Sequence, residues 1–192
     1  NAVVQQGNLK SGEIVVVFGV GALGLMSIAQ ASIAGASKII AVGMKADRKR
    51  REKIARKYGA DEFFASDEEE NIVEKVKEAA REDGVALVVD AAGVPALTSA
   101  AIQIVRSEGS IVRIGMSNKT YEDSLDGFSL KNIRFSGHMG YNQESWRNTL
   151  ALAKAEKLNL KPIITCILPL EEYQQGFDMT KNQEASKVVL VP

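Results

Sequence analysis

The sequence predicts a doubly wound α/β domain: six parallel strands with helices on both faces, in three layers. Three observations predict it. Ile14-Val15-Val16-Val17-Phe18 is an unbroken apolar run, the signature of a strand covered on both sides. Glycines 19, 21 and 24 follow it and open an Ala-rich stretch with helical character. The strand-then-helix pattern recurs along the chain, which implies a parallel sheet.

The elements follow in order. Asn1 to Leu9 reads as the tail of a helix already under way, and Lys10 to Glu13 as a turn. The helix after the glycines runs to about Ala34, with Gly35 as its stop. Lys38 to Val42 is a second strand. Asp47 to Tyr58 is a charged helix ended by Gly59, and Glu62-Phe63-Phe64 a short strand. Asn71 to Arg81 places Ile72, Val73, Val76, Ala79 and Ala80 on one helical face. Val85 to Val89 is a strand closing at Asp90-Ala91-Ala92-Gly93. A helix over Pro95 to Val105 and a strand over Ser110 to Ile114 come next. Ile133 to Ser136 is a further strand. Glu144 to Lys157 is a helix expected to bury Trp146, Leu150 and Ala153 together. Residues 1–157 form the domain by this reading. Residues 158–192 fall outside the repeat, with Ile163-Ile164-Thr165, a short helix from Glu171 to about Met179 and a strand over Lys187 to Val191. The acidic Asp67–Glu70 stretch reads as a solvated turn.

Composition narrows the function classes. The 192 residues include 24 Lys+Arg and 24 Asp+Glu, so no basic field argues for nucleic acid or an anionic membrane. The lone cysteine excludes an intramolecular disulfide framework and fits a reducing compartment. Ile14 to Ala34 is apolar enough to resemble a membrane span. Its internal glycines and β-branched start are better explained by a buried strand turning into a buried helix. A cytoplasmic location is the expectation, with no signal-peptide pattern at the N-terminus.

Gly19-Val20-Gly21-Ala22-Leu23-Gly24 fits G-x-G-x-x-G between a strand and a helix, the context that gives the motif meaning. Gly19 permits the tight turn, Gly21 lets backbone approach a pyrophosphate, and Gly24 lets helix and strand pack closely. Free N–H groups at the helix start attract an anion. The alternative is a purely structural glycine turn. About 20 residues on, an NAD binder carries Asp or Glu for the ribose hydroxyls, yet that position falls on Gly43. Glycine makes room for a 2′-phosphate, and Lys45 and Arg48 supply positive charge nearby. The expectation is therefore NADP(H), with NAD(H) second and Met44 covering the adenosine. Arg50 and Arg51 read as a solvated helix face.

The ordered set of Lys10-Ser11-Gly12-Glu13, the glycine motif, Lys57-Tyr58-Gly59-Ala60-Asp61, Asp90-Ala91-Ala92-Gly93 and Gly115-Met116 resembles the zinc-dependent medium-chain alcohol dehydrogenases. Lys161-Pro162-Ile163-Ile164-Thr165, Leu168 to Glu172 and Lys187 to Pro192 extend the resemblance to nearly the whole chain. It implies a Rossmann coenzyme domain whose C-terminal tail rejoins a catalytic domain. Gly43, Lys45 and Tyr58 match positions of the NADP-using secondary alcohol dehydrogenases, although Met44 stands where they carry a hydroxyl residue. The resemblance lays Ala91, Ala92 and Gly93 along the adenosine, Gly115 and Met116 near the nicotinamide, and Lys187 near the pyrophosphate. It also implies homo-oligomers paired through an edge strand, near Ile133 to Ser136.

Catalytic zinc in that family is held by Cys, His and an acid from an N-terminal half. Cys166 and His138 are the only Cys and His here and make no ligand pattern. Cys166 reads as a structural thiol, standing where a His is common in the family, and His138 as a loop residue beside the cofactor edge. No catalytic residue and no metal ligand is assigned. The expectation is a coenzyme-binding half that does not turn over an alcohol or ketone by itself, the zinc lying in the other half. A short-chain dehydrogenase would need Lys four residues after a Tyr, and Tyr58, Tyr121, Tyr141 and Tyr173 are followed there by Glu62, Leu125, Ser145 and Phe177. A methyltransferase would want an acid at Gly43. A non-catalytic nucleotide sensor on the same fold stays open.

Overall fold

A computed structural model describes residues 1–81 and 84–192. Six parallel strands form one sheet in the order β3-β2-β1-β4-β5-β6. The strands are β1 (Ile14–Phe18), β2 (Lys38–Gly43), β3 (Glu62–Ala65), β4 (Val85–Asp90), β5 (Val105–Arg113) and β6 (Arg134–Gly137). The helices among them are α1 (Ala22–Ile33), α2 (Arg51–Lys57), α3 (Ile72–Ala80), α4 (Pro95–Ile104), α5 (Asp126–Leu130) and α6 (Gln143–Lys154). This is the expected doubly wound order, with the chain reversing direction between β1 and β4.

The core divides by strand parity, because alternate residues face opposite sides of a sheet. Val15 and Val17 of β1 join Leu25, Ile28 and Ala31 of α1 on one face. Ile14, Val16 and Phe18 join Val73 and Val76 of α3 and Ala101 of α4 on the other. All five residues of β1 are buried, as the apolar run requires. Each such side chain contributes about 1.5–3 kcal/mol of transfer free energy, so the sheet centre fixes the strand ends that carry the site. β6 differs, being an edge strand that is largely exposed.

Several local readings change. The charged helix does not begin at Asp47. A 3₁₀ turn covers Lys45–Lys49, Arg50 breaks the path at φ −130°, ψ −56°, and α2 starts at Arg51. In α6 the expected burial fails: Trp146 and Leu150 are each 53% exposed, and Ala153 is only partly covered. Trp146 faces a surface cleft instead of the sheet and stacks on Tyr141, their ring centroids 5.3 Å apart. Ser145 is the buried residue of α6, tied into a reciprocal cap with Asn142. Beyond residue 157, β7 (Cys166–Pro169) pairs in parallel with β8 (Val188–Val191), and α7 (Tyr173–Lys181) packs against both. None of the described helices is long and apolar enough to cross a membrane. Ile14 to Ala34 divides into β1 and α1.

Candidate functional site

The carboxyl ends of β1, β4 and β5 converge with almost no side chains between them. Gly19 takes φ +86°, and a Cβ there would lie 3.0 Å from the Ala92 nitrogen. A Cβ on Gly24 would strike the Gly19 carbonyl, so helix and turn meet backbone to backbone. Gly93, at φ +71°, and Gly115 are pressed together in the same way. Hydrogen bonds knit the ends: Gly19 N–H to Val42 O (2.8 Å), Ala91 N–H to Phe18 O (2.8 Å) and Gly115 N–H to Asp90 O (2.9 Å). Gly19, Gly24, Ala91, Ala92, Gly93 and Gly115 thus form one compact floor.

Asp90 locks that floor. Fully buried, it accepts from the N–H groups of Ala92 (3.1 Å) and Gly93 (2.7 Å) and from the Thr98 hydroxyl (3.2 Å). Arg113 donates to Thr98 Oγ1 and to the carbonyls of Gly93 and Gly115. The sequence pattern alone assigns Asp90 no role beyond closing β4. An Asp at a strand end, two and three residues before Ala92 and Gly93, was the available signal.

Gly21 differs from its neighbours. Nothing lies within 4 Å of the place where its Cβ would be. It caps α1 with no side chain, so the amides of Ala22, Leu23 and Gly24 have no capping acceptor. By contrast, Asn71 and Asn142 cap α3 and α6 with their side chains. An open approach, free amides and the positive end of a 12-residue helix make a place for an anion. The dinucleotide fits these residues.

On one side of this floor lies a cleft of about 870 Å³, largely apolar. Leu23 and Met26 of α1, Gly115, Met116, His138 and Trp146 line it. Met116 is 79% exposed. His138 follows β6, donates its amide to Arg113 O (2.9 Å) and sets Nε2 3.0 Å from Gly140 O.

On the other side, β2 ends at Gly43. The β2–β3 register pairs Gly43 with Ala65, which brings residues 66–68 beside Met44, Lys45 and Arg48. Ser66 donates its amide to Gly43 O (2.9 Å), and its hydroxyl lies 3.5 Å from Met44 Sδ. Asp67 accepts the Lys45 amide (2.7 Å). Glu68 pairs with Arg48 Nε (2.6 Å) and Lys45 Nζ (3.7 Å). Hydrogen bonding to Glu68 first, then the Glu52 carboxylate, holds the Arg48 guanidinium above its ordinary value. The acidic stretch is therefore the partner of the basic one and not a bare solvated turn. Arg51 is likewise no free surface charge: its side chain is 14% exposed and pairs with Asp47 Oδ1 at 3.0 Å. Arg50 donates to the Glu184 carbonyl.

Tyr58 is a correction. It is buried in the core beneath α1, at the carboxyl end of α2. Since α2 returns antiparallel to the strands, that end lies beside the start of β2, where Asp61 accepts the Ile39 amide (2.8 Å). Gly43 is at the other end of β2. Tyr58 cannot reach a phosphate there. Its hydroxyl faces the Ile163 backbone without hydrogen-bond geometry, and burial pushes the phenol above its ordinary value while that backbone offsets part of the rise. Lys187 is exposed just before β8, its carbonyl accepting from Thr165 N–H (3.0 Å). Cys166, in β7, lies 3.9 Å from Met179 Sδ. Among the described residues, no group of three or more His, Cys, Asp or Glu is arranged to hold a metal.

Residues 22–155 match the zinc-binding dehydrogenase family. The chain belongs to that family. It is 32% identical over 189 residues to an uncharacterized zinc-type alcohol dehydrogenase-like protein of Escherichia coli K12, a match covering 98% of this chain and 52% of the relative. It is 29% identical over 194 residues to an L-threonine 3-dehydrogenase of Bacillus velezensis, covering 100% of this chain and 54% of the relative. Among solved structures, alcohol dehydrogenase TADH from Thermus sp. ATN1 superposes with a TM-score of 0.89 at 31% identity, over 99% of this chain and 54% of that one. The chain spans about half the length of the curated relatives it matches. It corresponds to the coenzyme-binding, Rossmann half of a zinc-binding dehydrogenase.

Proposed function

We propose that this chain holds a nicotinamide dinucleotide for hydride transfer to and from an alcohol or ketone, in a protein whose zinc and substrate site are completed by a second half. The observation that carries the reading is the uncapped start of α1 at an open Gly21. The amides of Ala22 and Leu23 bind the pyrophosphate, and Gly21 admits it to contact distance. Ala91, Ala92 and Gly93 lie along the adenosine side, and Met44, half exposed, covers the base. Gly115 and Met116 bound the nicotinamide end, where Leu23, His138 and Trp146 supply an apolar wall. When bound, the nicotinamide ring supplies the hydride acceptor or donor. Lys187, exposed just before β8, is assigned to the pyrophosphate by the family resemblance alone.

The exposed faces of α6 and of the β7–β8 unit support contact with the second half, and the β6 edge supports pairing between copies. Family membership favours this dehydrogenase reading over a free-standing nucleotide sensor. At the adenosine ribose, Gly43, Lys45 and Arg48 argue for a 2′-phosphate, while Asp47, Asp67 and Glu68 argue for a 2′-hydroxyl. Titration of the 192-residue chain with reduced coenzyme, followed by coenzyme fluorescence, tests the site. Saturable binding is expected, with no alcohol oxidation when zinc is supplied. Oxidation by the pure chain would contradict the division of labour, and absence of binding would contradict the site.

A further inference from the structure

The end of β2 carries a carboxylate that its own sequence position lacks. We infer that Asp47 is the acid that reads the adenosine ribose, delivered into the space that Gly43 leaves empty, and that the site consequently prefers NAD(H) to NADP(H). The inference rests on the dinucleotide reading above. A Cβ on Gly43 would lie 2.9 Å from Asp47 Oδ2 and 2.8 Å from Val20 Cγ2. The Asp47 carboxylate and the second residue of the glycine turn therefore flank the same point, from which an acid at position 43 would act. The 3₁₀ turn Lys45–Lys49 brings Asp47 back to it.

Two contacts hold the carboxylate: Oδ2 accepts the Met44 amide (2.8 Å), and Oδ1 pairs with Arg51 (3.0 Å). An ionised carboxylate offers about four acceptor positions, so one on each oxygen is left for a ribose hydroxyl. The side chain is 9% exposed, which gives it an edge rather than a face. Charge points the same way. Lys45 and Arg48, the cations that would draw a 2′-phosphate, are already paired with Glu68, and Arg48 also with Glu52. Asp67 stands on the Lys45 amide. A phosphate dianion entering here is repelled by Asp47, Asp67 and Glu68, whereas a ribose hydroxyl pair finds the open acceptor positions of Asp47.

The test is a parallel titration of the whole 192-residue chain with NADH and NADPH, repeated on Asp47→Asn. Asparagine keeps an oxygen for the Met44 amide and removes the charge. The wild-type chain is expected to bind NADH at least tenfold more tightly than NADPH. Asp47→Asn is expected to weaken NADH tenfold or more and bring the two coenzymes level. Should melting show that Asp47→Asn does not fold, Glu68→Gln serves: freeing Lys45 and Arg48 is expected to strengthen NADPH several-fold and leave NADH alone. Tighter NADPH binding by the wild-type chain, or a ratio that neither substitution moves, overturns the inference while the dinucleotide site stands. A folded wild-type chain that binds neither coenzyme overturns both.

Discussion

Two neighbouring strand ends lie side by side at the candidate site, and both carry glycine for different reasons. After β1, Gly19 and Gly24 are glycine because backbone presses on backbone: one has a positive φ, and the other abuts the Gly19 carbonyl. After β2, Gly43 is glycine because side chains converge there: Val20, Phe63 and Asp47 all lie within 2.9 Å of a Cβ position. The first kind of demand is written in adjacent residues. The second is written in a 3₁₀ turn and a strand register. A glycine at a strand end thus leaves open room only when nothing else has been folded into that room.

The largest expected effect breaks the first strand end. Gly24→Ala forces the turn and α1 apart, an overpacking cost of about 1–3 kcal/mol. For a chain of this size, that corresponds to a melting temperature lower by roughly 2–12 °C, with coenzyme binding lost in parallel. A melt within a degree of wild type would show that the turn is not the rigid contact described. A smaller effect sharpens the account of the second strand end. Tyr58→Phe removes a buried hydroxyl with no partner and is expected to be neutral or stabilising by about 1 kcal/mol, with NADH and NADPH affinities unchanged. Because burial raises the Tyr58 phenol, the fold favours its neutral form. Its contribution is fully present below the unfolded value of about 10 and is lost as pH climbs through the raised folded value. Tyr58→Phe should flatten that alkaline loss in pH-dependent melts. Weakened NADPH binding in this variant would return Tyr58 to the site.

What was legible in the sequence was what short windows encode. The apolar run of β1, the glycine spacing and the alternation of strands with helices gave the six-stranded order, since local pattern fixes which residues must be buried. Spatial partners twenty residues apart were not legible. Glu68 meets Arg48 only because Gly43 registers with Ala65. Asp47 meets Gly43 only because the chain turns once as 3₁₀ before α2. Tyr58 lies away from the site for a similar reason: its neighbours in sequence resemble the family's, but α2 carries it to the opposite end of the strands, beside the start of β2. The face of α6 was misread because the helical period identifies an apolar stripe without saying what lies opposite it. Here Trp146 lines the cleft next to His138 and Met116.

Gly21 offers the most direct test of the central claim that the start of α1 is built for a ligand and not for packing. Its backbone, at φ −69°, ψ −173°, suits an L-residue, and its Cβ position is open. Gly21→Ala should therefore melt with the wild-type chain and yet bind NADH at least tenfold more weakly, because the methyl group takes the space of the pyrophosphate. Unchanged stability together with unchanged NADH affinity would contradict the claim.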